Sequence, residues 1–226
     1  MKTIGVVTIG QSPRNDVVAE IEKIIKNSPT LQTVTFLQKG ALDGLTIDEI
    51  ADLRPTTDKN HLVTVLRDGT EVAVDKQAVC PRVQRAVFEL ESEGADIITL
   101  LCSGGFPPFC SDAPLIVPAK LLAGVLSAIS ITGKLGVVVP SEKQVGATEA
   151  AYKSRGFHPI VVGASPYPHG EAFLDAVDRL KGQVALVVMD CFGFNLSAKR
   201  QVSQITGVPV ILVRSVLARA LIECLD

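Results

Sequence analysis

The sequence predicts an α/β fold built as two pseudo-symmetric lobes, each a mainly parallel sheet flanked by helices. Three observations carry that prediction. Short apolar runs alternate with helix-period segments almost from end to end. The runs are apolar without a break, as strands buried on both faces of a parallel sheet require. The second half also restarts the pattern of the first. Ile4–Gly10 (IGVVTIG) is echoed by Leu135–Ser141 (LGVVVPS), and Ala95–Phe106 (ADIITLLCSGGF) by Val184–Phe194 (VALVVMDCFGF).

Thr3–Ile9 reads as the first strand. Pro13–Asn27 follows as a helix with Val17, Val18, Ile21, Ile24 and Ile25 on its apolar face. Ser12 ahead of Pro13 has the form of an N-cap followed by a first-turn proline. Leu31–Leu37 is a second strand, and Ala41–Leu53 is helical or irregular. Leu62–Arg67 and Glu71–Val74 flank Asp68-Gly69, a hairpin turn pair. Gln77–Glu93 is an amphipathic helix ended by Gly94, and Asp96–Leu101 a strand running into Cys102. Leu115–Val117 and Ala119–Ser130 form a short strand and a helix.

In the second half, Leu135–Val139 is a strand and Glu142–Arg155 a helix, with Ser141 and Gln144 placed as a capping box. Ile160–Val162 and Val184–Met189 are strands, with the helix Glu171–Lys181 between them. The helix Ala198–Ile205, the strand Val208–Val213 and the helix Val216–Leu225 complete the chain. The expected lobes are residues 1–115 and 116–207, with a cleft between them.

The chain has 226 residues, long enough to bury a sizeable core. Its 22 Lys+Arg against 24 Asp+Glu leave a net charge of -2, with no acidic or basic block. That balance, with no Trp and two Tyr, argues against a nucleic-acid partner. Mean hydropathy is +0.34, yet no apolar run reaches the roughly 18–20 residues of a membrane span. The N-terminus lacks the features of a signal peptide, so the expected location is the cytoplasm. No Walker lysine loop, GxGxxG fingerprint or Gly-x-Ser-x-Gly elbow occurs, and no cofactor is expected. A homo-oligomer is left open.

The five cysteines (Cys80, Cys102, Cys110, Cys191 and Cys224) are odd in number and irregularly spaced, and His61, His158 and His169 are scattered. Neither a disulfide framework nor a metal site is expected. Cys80, Cys110 and Cys224 read as structural. Cys102 and Cys191 each end a buried strand, the place where open α/β sheets bind ligands. Each alone has the form of a core cysteine. As a pair they suggest two thiols facing one substrate carbon, one removing a proton and the other supplying one. The turns that follow offer backbone N–H groups from Ser103, Gly104 and Gly193 to a thiolate or a bound anion.

The loop after the first strand carries Gln11, Ser12 and Arg14. Arg14 in a first helical turn opposes the helix dipole by ~0.3–1 kcal/mol. It pairs with Asp16 or another exposed carboxylate, or grips a substrate carboxylate together with Gln11 and Ser12. Ser141, at the equivalent place in the second half, is either a cap or a further contact to substrate.

These motifs resemble the Asp/Glu/hydantoin racemase superfamily, with a cysteine after the third major strand of each half. The chain is similar in particular to the AroM family, in TIGQSPR (Thr8–Arg14), GALDGL (Gly40–Leu45), VVVPSEKQ (Val137–Gln144) and VVMDCFGF (Val187–Phe194). The resemblance implies a cofactor-independent racemase- or isomerase-like enzyme acting on a small carboxylate. It also implies that residues 208–226 cross back to complete the first lobe. Where the racemases carry Asn-Thr after the first cysteine and Thr or Ser after the second, this chain has Ser103-Gly104 and Phe192-Gly193. Two alternatives remain: a small-molecule-binding or regulatory protein on the same scaffold, and single-cysteine decarboxylase or hydrolase chemistry.

Overall fold

The computed structural model describes residues 2–28, 34–167 and 170–225. The chain divides into two compact units, Met1–Leu122 with Leu217–Asp226, and Ala123–Val216.

The first unit runs β1 (Lys2–Thr8), α1 (Asn15–Lys26), β2 (Val34–Gly40), α2 (Ile47–Asp52), β3 (His61–Val65), β4 (Glu71–Asp75), α3 (Lys76–Ser92), β5 (Ile97–Leu100) and β6 (Leu115–Ile116). Its sheet has the order β2-β1-β5-β6, with every pair parallel. β1 is central because Ile4, Val6 and Val7 are apolar and buried, as a strand covered on both faces must be. Val79, Val83, Val87 and Leu90 of α3 share a core with Val7, Ile98 and Leu100. The pair β3–β4 is an antiparallel hairpin turned at Asp68-Gly69, where Gly69 takes φ +88 and Asp68 accepts the Thr70 amide.

β2 extends past the expected Leu37 to Gly40, because Gln38, Lys39 and Gly40 still pair with Val6, Val7 and Thr8. The start expected for that strand, residues 31–33, lies outside the described residues, as does His169. α1 also starts later than expected. Arg14, not Ser12, is its N-cap residue, since the Ser12 amide and hydroxyl are both bound to Asp43.

The second unit receives the end of α4 (Pro118–Ser127), then β7 (Leu135–Val139), α5 (Val145–Lys153), β8 (Pro159–Gly163), α6 (Glu171–Asp178), β9 (Leu186–Met189), α7 (Leu196–Thr206), β10 (Val210–Leu212) and the start of α8 (Val213–Leu225). Its sheet is β8-β7-β9-β10, again all parallel. That is the order of the first sheet: the opening strand inside, the second at one edge, the third beside the first, the fourth beyond. The repeat seen in the sequence is therefore a repeat of topology. A cysteine follows the third sheet strand in both.

Two boundaries differ from expectation. Residues 142–144 form a short 3-10 turn and the helix begins at Val145, so Ser141 caps that turn by accepting the Lys143 amide at 3.3 Å. Residues 208–216 belong to the second unit, because Val210, Ile211 and Leu212 pair with Val187, Val188 and Met189. β9 is buried at all four residues and β10 covers the side that β7 leaves open. Only Leu217 onward, within α8, returns to the first unit.

Candidate active site

In the first unit, two loops leave the same edge of the sheet. β1 and β5 are neighbours, and the Leu101 amide continues the ladder onto the Val7 carbonyl. The loop Gly10–Arg14 after β1 and the turn Cys102–Gly104 after β5 therefore emerge side by side at the carboxyl ends of the strands. The Gly104 amide donates to Cys102 Sγ at 3.4 Å. A β-carbon at Gly104 would come within 3.0 Å of Leu62 and 3.4 Å of that sulfur, so glycine keeps the turn close to the thiol.

The Gly10–Arg14 loop is tied down on three sides. Asp43 accepts the Ser12 hydroxyl at 2.5 Å, the Ser12 amide at 2.8 Å and the Gly40 amide at 2.7 Å. Arg67, just past β3, donates its amide to Gln11 Oε1 at 2.9 Å and its Nε to the Ser12 carbonyl at 2.8 Å. Gln38 of β2 accepts the Arg14 amide at 2.8 Å. Arg82 of α3 in turn holds the Asp43 turn, donating to the carbonyls of Ala41 and Asp43. Gly10 lies so close to the hairpin that a β-carbon there would overlap Thr64 and the Val65 carbonyl.

These partners define what the expected carboxylate grip offers. Ser12 has one hydroxyl proton and donates it to Asp43, so toward a ligand its oxygen can only accept. Arg14 is buried at 5% exposure and its Nε and Nη2 form a fork on Asp16, at 2.8 and 2.7 Å. Of the two roles the sequence allows for Arg14, the ion pair to Asp16 is formed.

In the second unit, the Asp190 amide bonds the Val138 carbonyl, so Ser141 after β7 and Cys191–Gly193 after β9 also share one sheet edge. The Gly193 amide donates to Cys191 Sγ at 3.3 Å, the counterpart of Gly104 and Cys102. A β-carbon at Gly193 would sit 2.5 Å from Pro166 and 2.6 Å from the Tyr167 hydroxyl. Behind the turn, Tyr152 of α5 is buried and donates its hydroxyl to Asp190 at 3.0 Å. Burial, then the Asp190 charge, push the Tyr152 phenol far above its ordinary value. Arg214, at the start of α8, is fully buried and donates Nη2 to the Phe192 carbonyl.

All five cysteines are free thiols. Cys110 and Cys224, read from the sequence as structural, are both exposed. Cys80 is half-buried, and burial raises its thiol pKa. Among the described residues no group of three His, Cys, Asp or Glu side chains is placed to hold a metal ion.

The sequence model of the AroM family, described as "AroM protein", matches residues 4–225. The chain belongs to the AroM family. No curated protein matches this AroM-family sequence. Its fold is similar to Nocardia farcinica maleate cis-trans isomerase bound to TRIS (18% identity, TM-score 0.68, covering 100% of this chain and 93% of that one). It is similar also to Picrophilus torridus aspartate racemase (16%, TM-score 0.65, 99% and 94%) and to unliganded arylmalonate decarboxylase (14%, TM-score 0.62, 100% and 94%). The AroM chain thus has the Asp/Glu racemase-like α/β fold.

Several residues around these two turns in the AroM-family chain have no prediction from the sequence. Asp43 lies within the GALDGL motif and Arg67 beside the hairpin turn, but neither has a local pattern pointing to Ser12. Arg214 does carry a signal: it is a lone charge in the apolar stretch Val208–Leu217.

Proposed function

We propose that this AroM-family protein is a cofactor-independent racemase- or isomerase-like enzyme acting on a small carboxylate, with Cys102 and Cys191 as its acid/base pair. One observation carries the reading. Each thiol follows the third strand of a matching sheet and accepts the amide of the glycine two residues on. An N–H aimed at sulfur favours the thiolate, the form able to take a proton from carbon. In the proposed step one cysteine, as thiolate, removes a proton from the substrate carbon. The other, as thiol, returns one to it, inverting a centre or moving a double bond.

Gln11, Ser12 and Arg14 are proposed to recognise the substrate from the loop after β1, with Ser141 contributing from the second unit. Ser103, Gly104 and Gly193 are proposed to bind the substrate beside the thiols, to which the Gly104 and Gly193 amides donate. The similar folds support the class of chemistry, since they include an isomerase, a racemase and a decarboxylase. Among the described residues no helix is long and apolar enough to cross a membrane. A reducing cytoplasm, in which five free thiols persist, is the proposed setting.

A second reading, ligand binding without turnover, is favoured by the engagement of Ser12 by Asp43 and of Arg14 by Asp16. Deuterium wash-in separates the two. Protein in D2O is given a panel of small dicarboxylates, amino acids and hydantoins, and exchange at the α-carbon is followed by NMR. Exchange that disappears in both Cys102→Ser and Cys191→Ser supports the acid/base pair. Dependence on one cysteine alone points to single-thiol chemistry, and binding without exchange to the second reading.

A further inference from the structure

The peptide group joining Phe192 to Gly193 is engaged at both ends. Its carbonyl accepts from the buried guanidinium of Arg214, and its N–H donates to Cys191 Sγ at 3.3 Å. In a trans peptide these two groups point in opposite directions, so one plane connects the cation to the sulfur. Arginine stays charged at any pH a protein meets. A charged donor on a carbonyl polarises the peptide and strengthens the bond its N–H makes on the other side.

We propose that Arg214 is the positioning residue of the Cys191 thiol, acting through the Phe192–Gly193 peptide to fix the turn and stabilise the thiolate. The proposal deepens the enzyme reading above and rests on it only for what the thiolate then does. Among the described residues, the ionisable groups placed against this turn include Asp190 at the end of β9, Tyr152 from α5, Tyr167 after β8, and Arg214. Asp190 opposes the thiolate by its charge, and its hydrogen bond from Tyr152 holds the carboxylate toward α5. Arg214 favours it. Being fully buried, its charge is little screened by solvent.

The test reads each cysteine separately. Alkylation by iodoacetamide is followed against pH, with peptide mass spectrometry to assign the sites, in the wild type, Arg214→Met and Arg214→Lys. The expected result for Arg214→Met is a rise of about one pH unit in the Cys191 profile, a roughly tenfold slower reaction at pH 7. Cys102 stays where it was. Arg214→Lys, which keeps the charge, recovers part of the shift. A Cys191 profile that does not move, or one that moves together with Cys102, overturns the proposal.

Should Arg214→Met fail to fold, Arg214→Lys and the Gly193 amide resonance of the wild type decide the matter. That resonance is expected to shift as Cys191 titrates, and a stationary one overturns the proposal. Thiol titration is read without any substrate. A failed wash-in experiment therefore counts against the enzyme reading and leaves the arginine assignment standing.

Discussion

Asp43 accepts the hydroxyl of Ser12 at 2.5 Å and holds the Ser12 and Gly40 amides with the same carboxylate. One side chain thereby fixes the start of the turn after β2 and the middle of the loop after β1. Arg67 adds a longer contact to it, at 3.6 Å.

Asp43→Ala is expected to strand these donors and cost about 1–3 kcal/mol. Urea unfolding is the measurement, with a lower midpoint and an unchanged slope as the outcome. Asp43→Asn keeps one acceptor oxygen and should fall between the two. If the alanine variant unfolds at the wild-type midpoint, Asp43 does not hold the loop.

Tyr152 makes stability depend on alkaline pH. Its phenol is raised in the folded state by burial and by Asp190, whereas in the unfolded chain it titrates near its ordinary pH of about 10. The unfolded state therefore releases the proton first. Its contribution is complete below about pH 10 and is lost above it, at about 1.4 kcal/mol per further unit. Tyr152→Phe should flatten that decline. It should also cost roughly 1.5–3 kcal/mol at pH 7, because the Asp190 carboxylate loses a donor. Denaturant midpoints from pH 7 to 11 check both effects.

Glycines in the second unit should respond in opposite directions. At Gly193 a β-carbon would meet Pro166 and the Tyr167 hydroxyl, so Gly193→Ala is expected to cost about 1–3 kcal/mol. Because the shift falls on the amide that bonds Cys191, alkylation of that thiol should change as well. Gly146, inside α5, has open space at its β position and no unusual φ. Gly146→Ala should stabilise by about 0.5–1 kcal/mol. Thermal melts of both variants give the comparison.

Leu90 of α3 is fully buried against the core around β1 and β5. Leu90→Ala should cost about 2–5 kcal/mol through lost burial and the cavity left behind. A loss below 1 kcal/mol in chemical unfolding would mean that the core is looser than the packing indicates.

The parts of this fold legible in the sequence are those that depend on near neighbours. Buried strands such as Leu135–Val139 announce themselves as unbroken apolar runs, and Asp68-Gly69 marks its own hairpin. Both strand-end cysteines are visible for the same reason. What stays hidden depends on distant partners. Ser12 followed by Pro13 has every local feature of a cap, yet its groups bind Asp43, 31 positions away. Arg214 stands out as a charge in an apolar stretch, but its acceptor, the Phe192 carbonyl, is 22 positions back. The place of β10 was hidden too, since an edge strand of this length fits either sheet by composition.

The chain leaves its first unit inside α4 and re-enters it inside α8, so the second unit is one unbroken stretch set within an interrupted one. Synthesis from the N-terminus meets that layout in a fixed sequence. Residues 123–216 are all available to each other before Leu217, Ala218 and Leu221 have left the ribosome, although these three are buried residues of the unit that began first. The half started earliest is finished last. A nascent chain halted at Val216 would hold a second unit whose residues are all present and a first one with apolar surface uncovered, the kind of surface that chaperones bind.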